Sequence, residues 1–138
     1  MYNFDDIDDL KRDRGIEDEG TVVGFSGERW IKVAAASDAN PLWRARSDKL
    51  LAELNRLRNA KAPPEKVRAF LAKSYAETLG RDWGGWKSGG VAIPYSREAF
   101  EALLVSADDV YATIDAIVYD TKNYRGQRIE AVIEEAKN

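Results

Sequence analysis

The sequence contains no cysteine and no histidine among its 138 residues. Without cysteine the chain cannot form a disulfide or use a thiolate nucleophile, and without both residue types it cannot build a Cys/His zinc site. Without histidine it also lacks the usual general base at neutral pH, including the base of a Ser-His-Asp triad. Catalysis would therefore have to use carboxylate, lysine or tyrosine chemistry, or a hard metal ion held by oxygen ligands.

Long apolar runs and the common catalytic motifs are absent as well. No run approaches the roughly 20 apolar residues of a membrane-spanning helix, and the first residues lack the apolar core of a signal peptide. The sequence has no G-x-x-x-x-G-K-[ST] phosphate loop, no G-x-G-x-x-G opening a helix, no G-x-S-x-G elbow and no calcium loop of EF-hand spacing. We therefore expect a cytoplasmic protein that is not an enzyme and needs no cofactor or metal.

The net charge of −3 hides an uneven distribution along the chain. Residues 1–20 carry eight acids and three bases, a net charge of −5, and residues 98–138 carry nine acids and four bases, again −5. Residues 41–73 carry nine bases and three acids, a net charge of +6. A basic centre between acidic ends can fold back on itself or bind a complementary partner. Nucleic acid is a disfavoured partner because the whole chain is acidic, with a pI near 5.1.

The N-terminal part divides into an acidic arm and a β-rich segment. Residues 1–19 are predicted to be a poorly ordered arm, in which Phe4, Ile7 and Leu10 recur at a spacing of three and suit a short amphipathic turn that docks on another surface. Residues 21–33 are rich in β-formers around a Gly-containing turn and predict a hairpin with Ile31 and Val33 facing inward. We expect this hairpin to pack on the protein's own helices, with addition to a partner's sheet as the alternative.

Two helix starts flank the basic centre. Asn40-Pro41 combines a good N-cap with a residue favoured at the first helical position, which predicts a helix over 41–60. Pro63-Pro64 breaks the chain and starts a second helix over 64–79, with Gly80 as its C-cap. The two helices are expected to form an antiparallel hairpin. The apolar positions at helical spacing, which should face the core, are Trp43, Leu50, Leu54, Leu57, Val67, Phe70, Leu71, Tyr75 and Leu79.

The stretch from Trp83 to Ser96 separates two helical halves and concentrates glycine and tryptophan. Its aromatic and aliphatic side chains are too apolar for a solvated linker. The favoured interpretation is an ordered loop that pins its aromatics into the core. The alternative is a recognition loop with Trp86 or Tyr95 exposed, because aromatic residues are enriched at interface hot spots.

The second half is predicted to contain three helices. Ser96 can cap the first, and Ser106 or Asp108 opens the next. A break is expected at residues 124–126 and a last amphipathic helix at 129–136. The predicted fold is thus a single helical domain over residues 20–138, mainly α with a small N-terminal β-hairpin (α+β). It is a compact bundle of four to five helices in two halves joined by the Trp/Gly-rich loop.

Several landmarks occur together in a characteristic order. Trp30-Ile31-Lys32-Val33-Ala34 ends a β-type segment, and Asn40-Pro41-Leu42-Trp43 opens a helix where one family has Asn-Pro-x-aromatic. Trp83-Gly84-Gly85-Trp86 stands where that family has Trp-x-Gly after a helix. Gly90-Val91-Ala92-Ile93-Pro94-Tyr95-Ser96, with Leu103-Leu104 behind it, matches Gly-x-x-Ile/Leu-Pro-aromatic-Ser before a short helix. With the helix from Tyr111 to Tyr124 and an acidic tail, residues 20–138 resemble the tail assembly chaperones of long-tailed bacteriophages.

The resemblance implies a non-catalytic protein that acts before the phage tail is complete. Such chaperones bind the tail tape measure protein and the tail tube protein, keep them soluble in the host cytoplasm, and are absent from the mature virion. It also implies a longer, frameshifted form, because Ala136-Lys137-Asn138 can be encoded as GCA-AAA-AAC, which contains the slippery heptamer A-AAA-AAC. The candidate partner-binding residues are Arg44, Arg46, Arg56, Arg58, Trp86 and Tyr95.

Two other functional classes stay open on the sequence alone. One is a structural component of the virion, such as a tail completion or adaptor protein, which would be abundant in purified particles. The other is a regulatory module that uses the basic helices of residues 41–73 on nucleic acid, and its affinity would fall steeply with salt.

Overall fold

A computed structural model describes residues 2–125 and contains five helices and five short strands. The helix expected over residues 129–136 lies outside the described residues. The chain is mainly α-helical with a small antiparallel sheet, as the sequence pattern predicts. In chain order the elements are α1 (Arg14–Glu19), β1 (Thr21–Gly24), β2 (Trp30–Val33), α2 (Pro41–Asn59), α3 (Pro64–Thr78), β3 (Gly80–Gly84), β4 (Lys87–Ser88), β5 (Val91–Ala92), α4 (Arg97–Ser106) and α5 (Asp108–Val118), with 3-10 turns at Asp8–Leu10 and Thr121–Tyr124.

The main sheet has three antiparallel strands in the order β1-β2-β3. β1 and β2 form the predicted hairpin, with Thr21 opposite Val33, and the inward-facing Ile31 and Val33 are fully buried. The third strand is a correction to the sequence prediction, which assigns Gly80 as a helix C-cap with loop after it. Gly80–Gly84 instead pairs along β2, and α3 ends at Thr78 with Leu79 as its C-cap. The sheet therefore ties the N-terminal hairpin to the chain between the two helical halves.

Glycine is required in β3 by close approach of aromatic rings. A Cβ at Gly80 would collide with the Tyr95 hydroxyl and the Phe100 ring, and a Cβ at Gly84 would collide with the Trp30 indole. Because glycine removes both collisions, the rings cover the strand directly. The aromatic residues of the second half thus pack onto the sheet.

The starts of α2 and α4 follow the capping signals in the sequence, whereas α5 begins after Ala107, which makes no side-chain cap hydrogen bond, and Ser106 is the last residue of α4. Asn40 accepts a hydrogen bond from the Trp43 N–H at the start of α2, and Ser96 accepts one from the Ala99 N–H at the start of α4. The predicted apolar stripe of α2 is buried, and α3 packs against both α2 and α4. The shared core of helices and sheet includes Ile31, Val33, Leu50, Leu71, Tyr75, Leu79, Phe100, Leu104, Ile114 and Val118.

The N-terminal segment differs from the predicted arm in its second half. Residues 2–11 are exposed, apart from a half-buried Ile7, as an acidic arm should be. The helix α1 is instead part of the folded structure, since its Glu17 is fully buried and the Glu17 carbonyl accepts a hydrogen bond from the Ala35 N–H at 2.7 Å. The ordered structure therefore begins before the boundary predicted at residue 20, and Glu17 anchors its first helix.

Candidate partner-binding groove

A groove runs between α2 and α3, the two helices that carry most of the basic centre. The cavity has a volume of about 630 Å³. It extends along α2 for about two helical turns, and its other wall is the second half of α3. The lining residues are Ala45, Arg46, Lys49, Leu50, Glu53, Phe70, Ser74, Glu77 and Thr78.

The shape of the groove follows from where small and large residues fall on the two helices. Ala45 on α2 and Ser74 on α3 are too small to fill the space between the helices, whereas Leu50 and the half-buried Phe70 provide an apolar floor. The Ser74 hydroxyl donates to the Phe70 carbonyl at 2.9 Å, and the Thr78 hydroxyl donates to the Ser74 carbonyl at 2.7 Å. These hydroxyls are satisfied within their own helix, so the groove offers an apolar floor beneath a charged rim.

The rim carries matched ion pairs and an excess of positive charge. Arg46 donates to Glu77 across the groove at 2.7 Å. At its far end, Arg56 donates to both Glu53 oxygens, which lowers the pKa of Glu53 below its usual range, and the nearby Lys66 charge acts in the same direction. The lining itself has two bases, Arg46 and Lys49, and two acids, Glu53 and Glu77. Arg56 and Lys66, which lie beside Glu53, add two further positive charges to the rim.

Lys49 and Lys66 are the rim bases that a partner could use. Within residues 2–125 neither lies within ion-pair distance of a carboxylate, and both side chains are exposed. Because both groove acids are already paired with arginine, these lysines can interact with an incoming acid without breaking an existing pair.

The four arginines predicted as contact residues divide between two faces of α2. Arg46 lines the groove and Arg56 is paired with a lining residue. With about 100° between successive residues, Arg44 and Arg58 lie on the opposite side of the helix, where both are exposed. The structure therefore places Arg46 and Arg56 at the groove, and Arg44 and Arg58 away from it.

Trp86 is not the exposed contact residue that the recognition-loop alternative requires. It is 7% exposed, its indole N–H donates to the Trp30 carbonyl at 3.0 Å, and the edge of its ring meets Phe25. The Arg29 guanidinium lies 5.2 Å from the ring centroid. Trp86 therefore serves the core, which confirms the favoured interpretation for this side chain.

Tyr95 is half-buried and packs into the same aromatic cluster. Its ring contacts Trp83 edge-on and also lies against Phe100. Burial raises the pKa of Tyr95 above its ordinary value. This packing gives Tyr95 a structural role. Among the nearby residues, those of the short β4-β5 hairpin are exposed instead, including Val91.

A second polar cluster, which the sequence pattern did not indicate, joins α3 to the C-terminal end of α5. The buried Tyr75 hydroxyl donates to Asp115 at 2.6 Å and lies 3.0 Å from the Tyr119 hydroxyl. The Tyr75 ring stacks on Tyr111, and the Arg68 guanidinium lies 4.3 Å from the Tyr111 ring centroid. Burial raises the pKa of Tyr111 to about 12.

Substitution of Tyr75 by phenylalanine is expected to destabilise the fold by about 1–3 kcal/mol, because Asp115 loses its short hydrogen bond while the ring is retained. Chemical denaturation monitored by tryptophan fluorescence measures the change. Tyr2, which is 87% exposed, provides a matched control, and Tyr2→Phe should change the unfolding free energy by less than about 0.5 kcal/mol. Equal effects of the two variants would show that the Tyr75–Asp115 bond is not stabilising.

Comparison with known proteins assigns neither a family nor a function to this chain. No protein-family model, no curated protein and no solved structure matches this chain. Within residues 2–125, no group of three or more acids is arranged to hold a metal ion. None of the helices in this same part of the chain is both long and apolar enough to cross a membrane.

Proposed function

We propose that this protein is a non-catalytic bacteriophage tail assembly chaperone. It binds the tape measure protein, the tail tube protein or both in the host cytoplasm, keeps them soluble while the tail is built, and is absent from the mature virion. The observation that carries the proposal is the open groove between α2 and α3, with its apolar floor and charged rim, together with the resemblance of residues 20–138 to this family.

The groove has the properties of a helix-binding surface. A helix that docks in a groove inserts apolar side chains at positions i, i+3 or i+4, and i+7. The lined part of α2, from Ala45 to Glu53, spans about 12 Å and can therefore face two turns of a partner helix. Leu50 and Phe70 would contact its apolar anchors, and the rim would contact its charged residues. A long helical client that exposes such anchors before assembly needs temporary cover of this kind.

The rim favours binding that is specific but reversible. Its ion pairs lie at the surface, where each contributes little to stability and is screened by salt. Charged rims contribute mainly to encounter rate and specificity. A chaperone has to release its client, and a short apolar floor with exposed charges suits that requirement.

The proposal is tested by co-expressing this chain with the tape measure and tail tube proteins encoded beside its gene. Soluble yield and co-purification are measured for the wild type, for Ala45→Trp, which fills the groove from an exposed position, and for Asn55→Trp. Residue 55 is also exposed on α2 but does not line the groove. We expect capture and rescued solubility with the wild type and Asn55→Trp, and at least about a tenfold loss of client affinity with Ala45→Trp.

Two results would contradict this assignment. Equal capture by both tryptophan variants would remove the groove as the client site. Absence of capture, with the chain abundant in finished particles, would identify a structural tail component instead.

A further inference from the structure

The N-terminal segment Tyr2–Leu10, here called the arm, exposes more apolar surface than a solvated tail needs. Tyr2 is 87% exposed, Phe4 is 73% exposed and Leu10 is 63% exposed. The Tyr2 and Phe4 rings stack on each other with centroids 6.4 Å apart. Exposed aromatic and aliphatic side chains concentrated in one short segment indicate a contact surface.

The arm also carries four aspartates and no base, a net charge of −4 over nine residues. These are Asp5, Asp6, Asp8 and Asp9, and Asp8 has an exposed contact with Lys11 at 3.3 Å. The arm thus combines acidic and apolar side chains. The groove between α2 and α3 combines an apolar floor with two lysines that have no carboxylate partner within residues 2–125.

From this complementarity we infer that the arm of one copy of the chain binds in the α2–α3 groove of a second copy. Phe4 and Leu10 contact the floor formed by Leu50 and Phe70, and the aspartates lie near Lys49 and Lys66. The inference uses the groove of the proposed function, but it concerns a different occupant and needs no client.

The position of the arm indicates that the arm bound in a groove comes from a second copy of the chain. The Leu10 carbonyl at the end of the arm accepts a hydrogen bond from Arg125 at 3.3 Å, and Arg12 just beyond it is held by Glu17 and Asp38. None of the residues that line the groove of this chain belongs to the arm. The contact is head-to-tail, because each copy offers an arm at one place and a groove at another. Such heterologous contacts form rings or open chains of copies, not only closed dimers.

The contact between arm and groove would be weak, which would allow a client helix to displace the arm. Nine residues bury far less than the roughly 1,600 Å² of a standard stable interface. An arm held loosely in the groove would cover its apolar floor in the absence of client, and a client helix with more anchors would displace it. Self-association and client capture would therefore compete for one surface.

The test measures the mass of the purified full-length protein by sedimentation over a concentration series, without any client. We expect a mass that rises with concentration for the wild type and for the control variant Asn55→Trp. The arm variant Phe4→Ser/Asp5→Lys/Asp8→Lys and the groove variant Ala45→Trp should each stay monomeric, with self-affinity reduced by about tenfold or more. Substitutions in the exposed arm leave the anchoring contacts of Glu17 in place.

Mixing the two deficient variants gives a sharper test of the head-to-tail arrangement. The arm variant retains an intact groove, and the groove variant retains an intact arm, so together they should form a heterodimer although neither self-associates. A wild type that remains monomeric at every concentration, or a mixture that forms no heterodimer, would overturn the inference. Client capture by a strictly monomeric protein would overturn this inference alone, whereas self-association without client capture would overturn the proposed function alone.

Discussion

Replacing Asn40 by alanine is expected to lower the free energy of unfolding by about 3–5 kcal/mol. The side chain is fully buried, and its amide N–H groups donate to the Ala35 and Thr78 carbonyls, both at 3.0 Å. Its oxygen accepts from the Trp43 N–H and from Arg81 at 3.2 Å. Alanine would remove the N-cap of α2 and leave buried polar groups of three separate segments without this partner.

Urea denaturation monitored by tryptophan fluorescence measures this loss, and Asn55→Ala is the matched control. Asn55 lies on the same helix but is exposed, so its replacement should change the unfolding free energy by less than about 0.5 kcal/mol. A similarly small effect at Asn40 would mean that its four hydrogen bonds are replaced by water or by other groups. In that case Asn40 would act as an ordinary helix cap and not as a junction between segments.

The helix starts could be predicted because their signals are local. Asn40-Pro41, Pro63-Pro64 and Ser96 each place a capping or helix-starting residue directly before an apolar stripe, and α2, α3 and α4 begin where these residues predict. The inward face of the hairpin could be predicted for the same reason, since alternation along β2 is a property of four consecutive residues. The mainly α fold with a small sheet follows from these local patterns.

The features that the sequence did not reveal depend on residues far apart in the chain. β3 is five residues long with glycine at both ends, and it is a strand because it pairs with β2, about 50 residues away. The hydrogen-bond partner of Trp86 depends on that same pairing, since its indole N–H bonds to the Trp30 carbonyl. Helical periodicity shows which side of α2 faces the core. The width of the groove depends instead on how closely α3 approaches, which only the packed structure defines.

Glu17 is expected to show the second large effect on stability, because its carboxylate is fully buried and held by three charge-assisted hydrogen bonds. Arg12 donates two of them, one at 2.9 Å to Oε2, and the Ser37 hydroxyl donates the third at 2.7 Å. Substitution Glu17→Gln removes the charge but keeps the shape, and should cost about 2–3 kcal/mol at neutral pH. Glu19→Gln is the control, since Glu19 is exposed and its Lys32 contact is 3.7 Å long.

The same carboxylate should make stability depend on pH in a defined direction. The hydrogen bonds from Arg12, followed by that from Ser37, lower the pKa of Glu17 below its ordinary value of 4.5 despite the opposing effect of burial. A carboxylate whose pKa is lower in the folded state stabilises the fold fully above its unfolded pKa, and this contribution is lost as pH falls through the folded pKa. The difference in unfolding free energy between the wild type and Glu17→Gln should therefore be largest above about pH 5 and shrink on acidification. A difference that is constant from neutral to acidic pH would show that Glu17 anchors α1 by its shape and neutral hydrogen bonds, and that its charge contributes nothing to holding the first helix on the domain.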